Sequence, residues 1–246
     1  MTPVHKSELV AAGTAVVAAV VAAGALVDGA LRPQSQTFGR TLVAGRDPDE
    51  IALTYDDGPN DAATMQLLDV LARHEARATF FMMGRFVRQR PEIARAVLAA
   101  GHLVGNHTMT HPWLAWQPEH VIREELRGCN EALEDSLGAP VRYFRPPHGA
   151  RRPAVLRIAR ELGLTLVQWN VQGNDWAPIG TQRILGKVER GMRRVKERGR
   201  GANILLHDGY DRAMGADRTG TVEATDLLLG RLAGTAHRLV TVAAWG

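Results

Sequence analysis

From residue 50 onward, short apolar runs alternate with segments in which apolar positions recur every three or four residues. The runs Glu50–Tyr55, Ala78–Met83, His102–Asn106, Val141–Arg145, Thr165–Asn170, Ala202–His207 and Arg238–Ala243 predict seven strands. Helical periodicity fills the gaps. One helix starts at Asp61 as N-cap and carries Met65, Leu68, Leu71 and Ala72 on one face. Others are expected over 91–100, 119–137, 153–162, 181–198 and 222–232, with Pro91 in a first turn and Gly101 and Gly163 at C-terminal ends. Phe80-Phe81-Met82-Met83 reads as a buried strand, and Cys129 as a core residue of the 119–137 helix.

Such an alternation predicts an α/β protein with a parallel sheet. An open doubly wound sheet and a closed barrel fit it equally well, so the decision comes from where the unusual residues fall. Asp56 and Asp57 follow the first strand, and His107 and His111 follow the third. Arg145 ends the fourth, Asp175 lies beyond the fifth, and His207 ends the sixth. Strand ends converge on one face of a (β/α) barrel, whereas an open sheet would string them along an edge. The expected fold is a distorted, TIM-barrel-like (β/α)7 barrel in one catalytic domain, residues 50–246.

The chain before that domain has another character. Leu9 to Val27 is nineteen residues without a charge, mostly Ala and Val. As a helix it would reach ~28 Å, close to the hydrocarbon thickness of a bilayer. Residues 1–30 are therefore expected to be an export signal or an uncleaved membrane anchor, which places the domain outside the cytoplasm. Ala23-Gly24-Ala25 has signal-cleavage spacing, and Val27-Asp28-Gly29 is a poorer second choice. A buried Ala-rich helix is the other reading. Residues 31–49, with Arg32-Pro33, Gly39, Gly45 and Asp47-Pro48, form a turn-rich connector.

Composition narrows the function classes. With 45% hydrophobic and 23% charged residues in 246, the chain is neither disordered nor collagen-like. The single Cys129 excludes a disulfide framework and any multi-cysteine zinc module. A net charge of +4 is too small to argue for nucleic acid as a partner. Nothing calls for an obligate protein partner.

The candidate chemistry lies in the converging residues. Asp56-Asp57-Gly58-Pro59 sets two carboxylates in a turn, a cluster that also forms turns for their own sake. His107 and His111, four apart, would share one face of a helical turn and could share a metal ion. Two His and one Asp leave a coordination position open for water, as in catalytic rather than structural metal sites. Arg145-Pro146-Pro147-His148-Gly149 makes a stiff loop whose arginine could hold a carboxylate bidentately.

Together with Asp175-Trp176 and Leu205-Leu206-His207, these segments resemble, in order, the five motifs of the polysaccharide deacetylases, the carbohydrate esterases of the NodB type. The resemblance runs from about Ile51 to Trp245 and is specific because all five motifs occur at strand ends. It implies a divalent metal, zinc first with cobalt, manganese or nickel as alternatives, on Asp57, His107 and His111. It implies Asp56 as general base oriented by Arg145, and His207 as general acid tuned by Asp175. The backbone N–H of His148 would help bind an oxyanion, and Trp176 with Leu205 would line an acetyl pocket.

The expected activity is removal of N-acetyl groups from amino sugars of an envelope polysaccharide or oligosaccharide, chitin-like or peptidoglycan. An O-acetyl xylan esterase, a deacylase of a lipid-linked sugar, and a catalytically silent carbohydrate-binding relative are the rivals. Two departures stand out: His148 replaces a more usual Tyr or Phe, and Gln172 sits where many relatives have a second acid. Lys187–Arg200 holds seven basic and two acidic residues, read as a solvated helix face or one turned toward an anionic polymer or membrane. Trp113 and Trp116 could stack on a sugar or simply pack the loop.

Overall fold

A computed structural model describes residues 20–246. The apolar leader falls largely outside the described residues, and among those described no helix is long and apolar enough to cross a membrane. Residues 20–31 are helical, with Val20, Val21, Leu26 and Val27 exposed.

The domain begins with β1 (Glu50–Gly58), buried from Ile51 onward because strands lie on both sides of it and helices cover its outer face. Then follow α1 (Ala63–Arg73), β2 (Ala78–Met82), α2 (Gly84–Gln89), α3 (Pro91–Ala99) and β3 (Leu103–Asn106). Next come α4 (Glu119–Leu137), β4 (Tyr143–Phe144), α5 (Pro153–Glu161), β5 (Thr165–Leu166) and β6 (Val171–Gln172). The chain ends with α6 (Thr181–Lys196), β7 (Ala202–His207), α7 (Thr219–Leu232) and β8 (Arg238–Leu239). The strands pair in parallel in the order β5-β4-β3-β2-β1-β7-β6, with β8 on the foot of β1. Ile51, Leu53, Tyr55, Phe80 and Met82 anchor the main core against α1, α6 and α7.

The sheet is a curled barrel left open at one seam. Its edge strands β5 and β6 are joined by residues 167–170 alone, which can span no more than ~17 Å. Of the predicted strand over 165–170 only Thr165–Leu166 forms, and the next strand, Val171–Gln172, lies on the opposite edge. The reason is Gln168, a wholly buried polar residue in mid-segment. Its side-chain amide nitrogen donates to Gly149 O at 3.1 Å, and its backbone carbonyl accepts from Asn203 Nδ2 at 2.8 Å and Arg145 Nη2 at 3.3 Å. These bonds hold the chain as it crosses the seam. Leu42 of the connector lies in the same gap, donating to Leu166 O and accepting from Gln168 N.

Other expectations need adjusting. The strand expected over 238–243 is only Arg238–Leu239, after which a short 3-10 helix (Val242–Trp245) docks Trp245 Nε1 on Glu50 Oε2 at 2.8 Å. Asp61 does not cap α1. Asn60 does, its Oδ1 accepting from the N–H groups of Ala62 and Ala63, while Asp61 pairs with Arg90 at 2.6 Å. Helix α4 has the predicted bounds, between Pro118 and a left-handed Gly138. Phe80 to Met83 and Cys129 are buried as expected.

Candidate active site

At the end of β1 the pairing register slips between Asp56 and Gly58, and Asp57 takes a left-handed φ of 72°. In a regular strand neighbouring side chains point to opposite faces. The bulge breaks that alternation, so both carboxylates reach the same imidazole. His107 Nε2 lies 3.8 Å from Asp56 Oδ2 and 3.3 Å from Asp57 Oδ1. Gly58 has no room for a Cβ because the Asp208 carboxylate occupies that space.

His107 and His111 do meet, but not through a helical turn. Thr108 and His111 have φ of 67° and 68°, and the loop is shaped by side-chain bonds. Asn106 Oδ1 accepts from Thr108 N at 2.8 Å, Thr108 Oγ1 accepts from His111 N at 3.0 Å, and Glu125 on α4 holds Thr110. His111 Nε2 lies 3.1 Å from Asp57 Oδ1. His107 Nδ1–H donates to Arg145 O at 2.8 Å, which leaves its Nε2 lone pair facing the cluster.

Asp57, His107 and His111 each offer one ligand atom within 4.8 Å of the others. Asp57 Oδ1 is buried without a hydrogen-bond partner. Burial opposes ionisation of Asp57, yet the two imidazoles hold its carboxyl well below the usual carboxylate range. Burial would likewise lower His107, but Asp56 and Asp57 push it up. An orphaned anionic oxygen that draws protons onto its neighbours is a place fitted for a cation. The donor set of one carboxylate oxygen and two imidazole nitrogens suits zinc and related divalent metals.

Arg145 is completely buried, its guanidinium 4.3 Å from the Phe81 ring centroid and 5.7 Å from that of Trp169. Nη1 donates to Asp56 Oδ1 and Thr54 Oγ1, both at 2.8 Å, and Nη2 reaches Gln168 O and Asn203 Oδ1 at 3.3 Å. Across the site, His207 Nδ1–H donates to Asp175 Oδ1 at 2.9 Å. Asp175 Oδ2 accepts from His207 N at 2.7 Å and from the Thr221 hydroxyl at 2.8 Å. Burial alone would lower the His207 pKa. Asp175, with the charges of Asp57 and Asp56, outweighs it and pushes the imidazole up to about 9. His207 is therefore protonated at neutral pH.

His148 has a φ of 58°, which turns its ring back onto the site. The imidazole stacks on Trp113 at 4.0 Å between centroids and meets His111 edge-on at 4.7 Å. Histidine thus packs here through the faces and edges of aromatic rings. Leu205 is buried in β7 between Thr54 of β1 and Gln172 of β6, while Trp176 stands exposed on the rim. Gln172 accepts from Trp169 Nε1 at 3.0 Å.

Sequence reasoning missed four residues. Thr54 and Asn203 complete the cradle of Arg145. Asp208, next to His207, is wholly buried and pushed up to about 7 by its burial, against the pull of a Thr64 hydroxyl bond. Arg151 is also buried, with burial pushing it down to about 10. It donates only to carbonyls: Gly149 O at 3.0 Å, Arg32 O at 2.9 Å, Pro33 O at 3.3 Å and Ser35 O at 2.8 Å. The connector is thereby clamped to the loop that carries His148.

A site of paired acids and bases on the rim of a curled parallel barrel defines an α/β-barrel hydrolase. The family model "Polysaccharide deacetylase" matches residues 44–167. The chain is 39% identical over 161 residues to a chitooligosaccharide deacetylase of Bradyrhizobium sp. (strain ANU 289), covering 65% of this chain and 71% of that protein. It is 37% identical over 194 residues to a peptidoglycan-N-acetylglucosamine deacetylase of Bacillus cereus, covering 78% and 85%. A crystal structure of a peptidoglycan N-acetylglucosamine deacetylase with a bound N-oxidanyl-benzamide superposes with a TM-score of 0.74 at 30% identity, covering 83% of this chain and 91% of that one. The chain belongs to the polysaccharide deacetylase family.

Proposed function

We propose that the protein is a metal-dependent N-deacetylase acting on N-acetylated amino sugars of an envelope polysaccharide or oligosaccharide. The observation that carries this reading is the division of roles between adjacent carboxylates. Asp57 turns an unpartnered oxygen to two imidazoles, and Asp56 is held by a buried arginine. A divalent cation on Asp57, His107 and His111, zinc in our reading, would supply Lewis-acid activation of water at neutral pH.

The remaining roles belong to the chain itself. Asp56 takes the proton from water as the water oxygen attacks the acetamide carbonyl carbon, and Arg145 Nη1 holds that carboxylate in place. His148 N–H makes no hydrogen bond to a described residue and is available to the oxyanion. His207 gives its proton to the sugar nitrogen as the C–N bond breaks, which releases acetate and a free amine. Asp175 offsets the charge His207 carries beforehand. The apolar stretch Leu9–Val27 supports export or membrane attachment, with the domain outside the cytoplasm.

Acetate release from chitin oligomers, peptidoglycan fragments and acetylated xylan, with added zinc or cobalt, tests the reading. N-acetylated substrates should be turned over, and Asp56→Asn should abolish turnover while sparing zinc binding. Turnover of xylan alone would make the protein an O-acetyl esterase. Glycan binding without any acetate release would make it a silent relative.

A further inference from the structure

The seam of the barrel opens onto a basic groove that the reaction does not use. A cavity of about 420 Å3 lies beside β6 and one of about 780 Å3 at the foot of the barrel. Gln34 and Asn170 line both, so the two form one groove between α6 and the connector. Lys187, Arg190 and Arg194 line the upper part. Arg40, Arg46, Arg198 and Arg200 line the lower.

The acids that line the groove, Asp47 and Glu50, are already taken by another cation, as are two acids near it. Asp47 and Glu50 pair with Arg238, Asp49 with Lys196, and Glu189 with Arg231. None of the seven groove cations is in an ion pair with a described carboxylate. The C-terminal dipole of α6 accounts for cations in its last turn, Arg193, Arg194 and Lys196. It does not account for Lys187 and Arg190, which lie further back. Lys187, Arg190 and Arg194 follow one another at steps of three and four, a stripe on one side of α6 spread over ~10 Å, and Arg198 follows in the turn after the helix. A pocket for a single phosphate would gather its donors on one point; a spread stripe matches charges repeated along a chain. The upper end is the Gln172–Asn174 segment, which leads directly into Asp175 and Trp176.

We infer that this groove receives the acidic part of the substrate, a glycan strand whose carboxylates meet the lysine and arginine stripe as the acetylated sugar enters the catalytic rim. The inference rests on the deacetylase reading and selects within it: the substrate is an anionic N-acetylated polymer rather than a neutral chitin-like one. Guanidinium and carboxylate form paired, charge-assisted hydrogen bonds, which gives the groove its preference.

The test compares a peptidoglycan fragment that keeps its peptide carboxylates with a chitin oligomer of equal sugar number, at low and high salt. The variant is R190Q/R194Q/R198Q, three exposed changes away from the catalytic residues. For the acidic fragment, KM should rise about tenfold in the variant while kcat stays within about twofold, since exposed ion pairs contribute modestly and additively. Salt should raise the wild-type KM for the acidic fragment and leave the chitin oligomer unaffected. Equal KM values for both substrates, without salt dependence, would overturn the inference. So would a variant that harms both substrates alike, or tight binding to phosphatidylglycerol vesicles with none to the acidic fragment. If neither substrate releases acetate, the deacetylase reading fails on its own. Direct binding of the acidic fragment, lost in the variant, then still reads the groove.

Discussion

Replacing Arg145 by methionine keeps the apolar stem that fills the space over Phe81 and removes the guanidinium. The neighbours then divide into those that keep a donor and those that do not. Gln168 O keeps Asn203 Nδ2 at 2.8 Å, while Asn203 Oδ1 loses its donor, because the one proton of the Thr54 hydroxyl 3.3 Å away goes to Ile204 O. Thr54 still donates to Ile204 O at 2.7 Å. Only Asp56, 4% exposed, is left with an uncompensated charge. Stripping one partner from a buried pair costs about 3–5 kcal/mol, and the lost cation–π contact adds about 1 kcal/mol. Against a typical total stability of about 5–15 kcal/mol, the variant should fold but unfold at much lower urea. Neutralising the stranded group should repair part of the damage, so R145M/D56N should be more stable than R145M. Urea unfolding followed by tryptophan fluorescence, in the presence of a chelator to exclude metal linkage, reads both variants. A loss below about 1 kcal/mol for R145M, or a double variant no more stable than the single, would refute the account of Asp56 as a carboxylate that depends on Arg145.

Zinc at a hundred times its Kd should stabilise the fold by about 2.7 kcal/mol, read as a rise in Tm that a chelator reverses and D57N abolishes. His207 is raised above its ordinary value, so its acid form persists through neutral pH and is lost as pH rises through about 9; kcat/KM should fall along that limb. D175N removes the main raising influence and should move the limb toward acid by at least about one unit, each unit being about 1.4 kcal/mol. R151Q strips several carbonyls of their shared donor, at about 1–3 kcal/mol, and should raise hydrogen exchange over residues 30–36. R151K should not restore protection, because one ammonium cannot reproduce the planar spread of donors.

What the sequence revealed and what it hid follow from the range of the interactions. Asp56, Asp57, His107, His111, Arg145, Asp175 and His207 were legible because the alternation of strands and helices put each at a strand end. Helix α4 was legible because Pro118 and Gly138 mark its limits locally. The partners of Arg145 lie up to 91 residues away, and those of Arg151 up to 119, so no local pattern names them. The predicted run over 165–170 took in β5 and the crossing that follows it because the strand is only two residues long; the polar Gln168 was the available signal. The histidine pair shows a spacing that named two residues the structure brings together, but through another geometry. Its i, i+4 separation suggested a helical turn, and the loop instead uses two left-handed residues.

The Arg151 clamp has a consequence for reach. Arg151 N donates to Ala30 O, so the helix over 20–31 ends two residues from Gly149, at the catalytic rim. Over its twelve described residues that helix is only ~18 Å long, so Val20 stands within about that distance of the loop that carries His148. A chain held at that end would sweep a thin shell next to its point of attachment, and polymer lying beyond that shell would have to come to it.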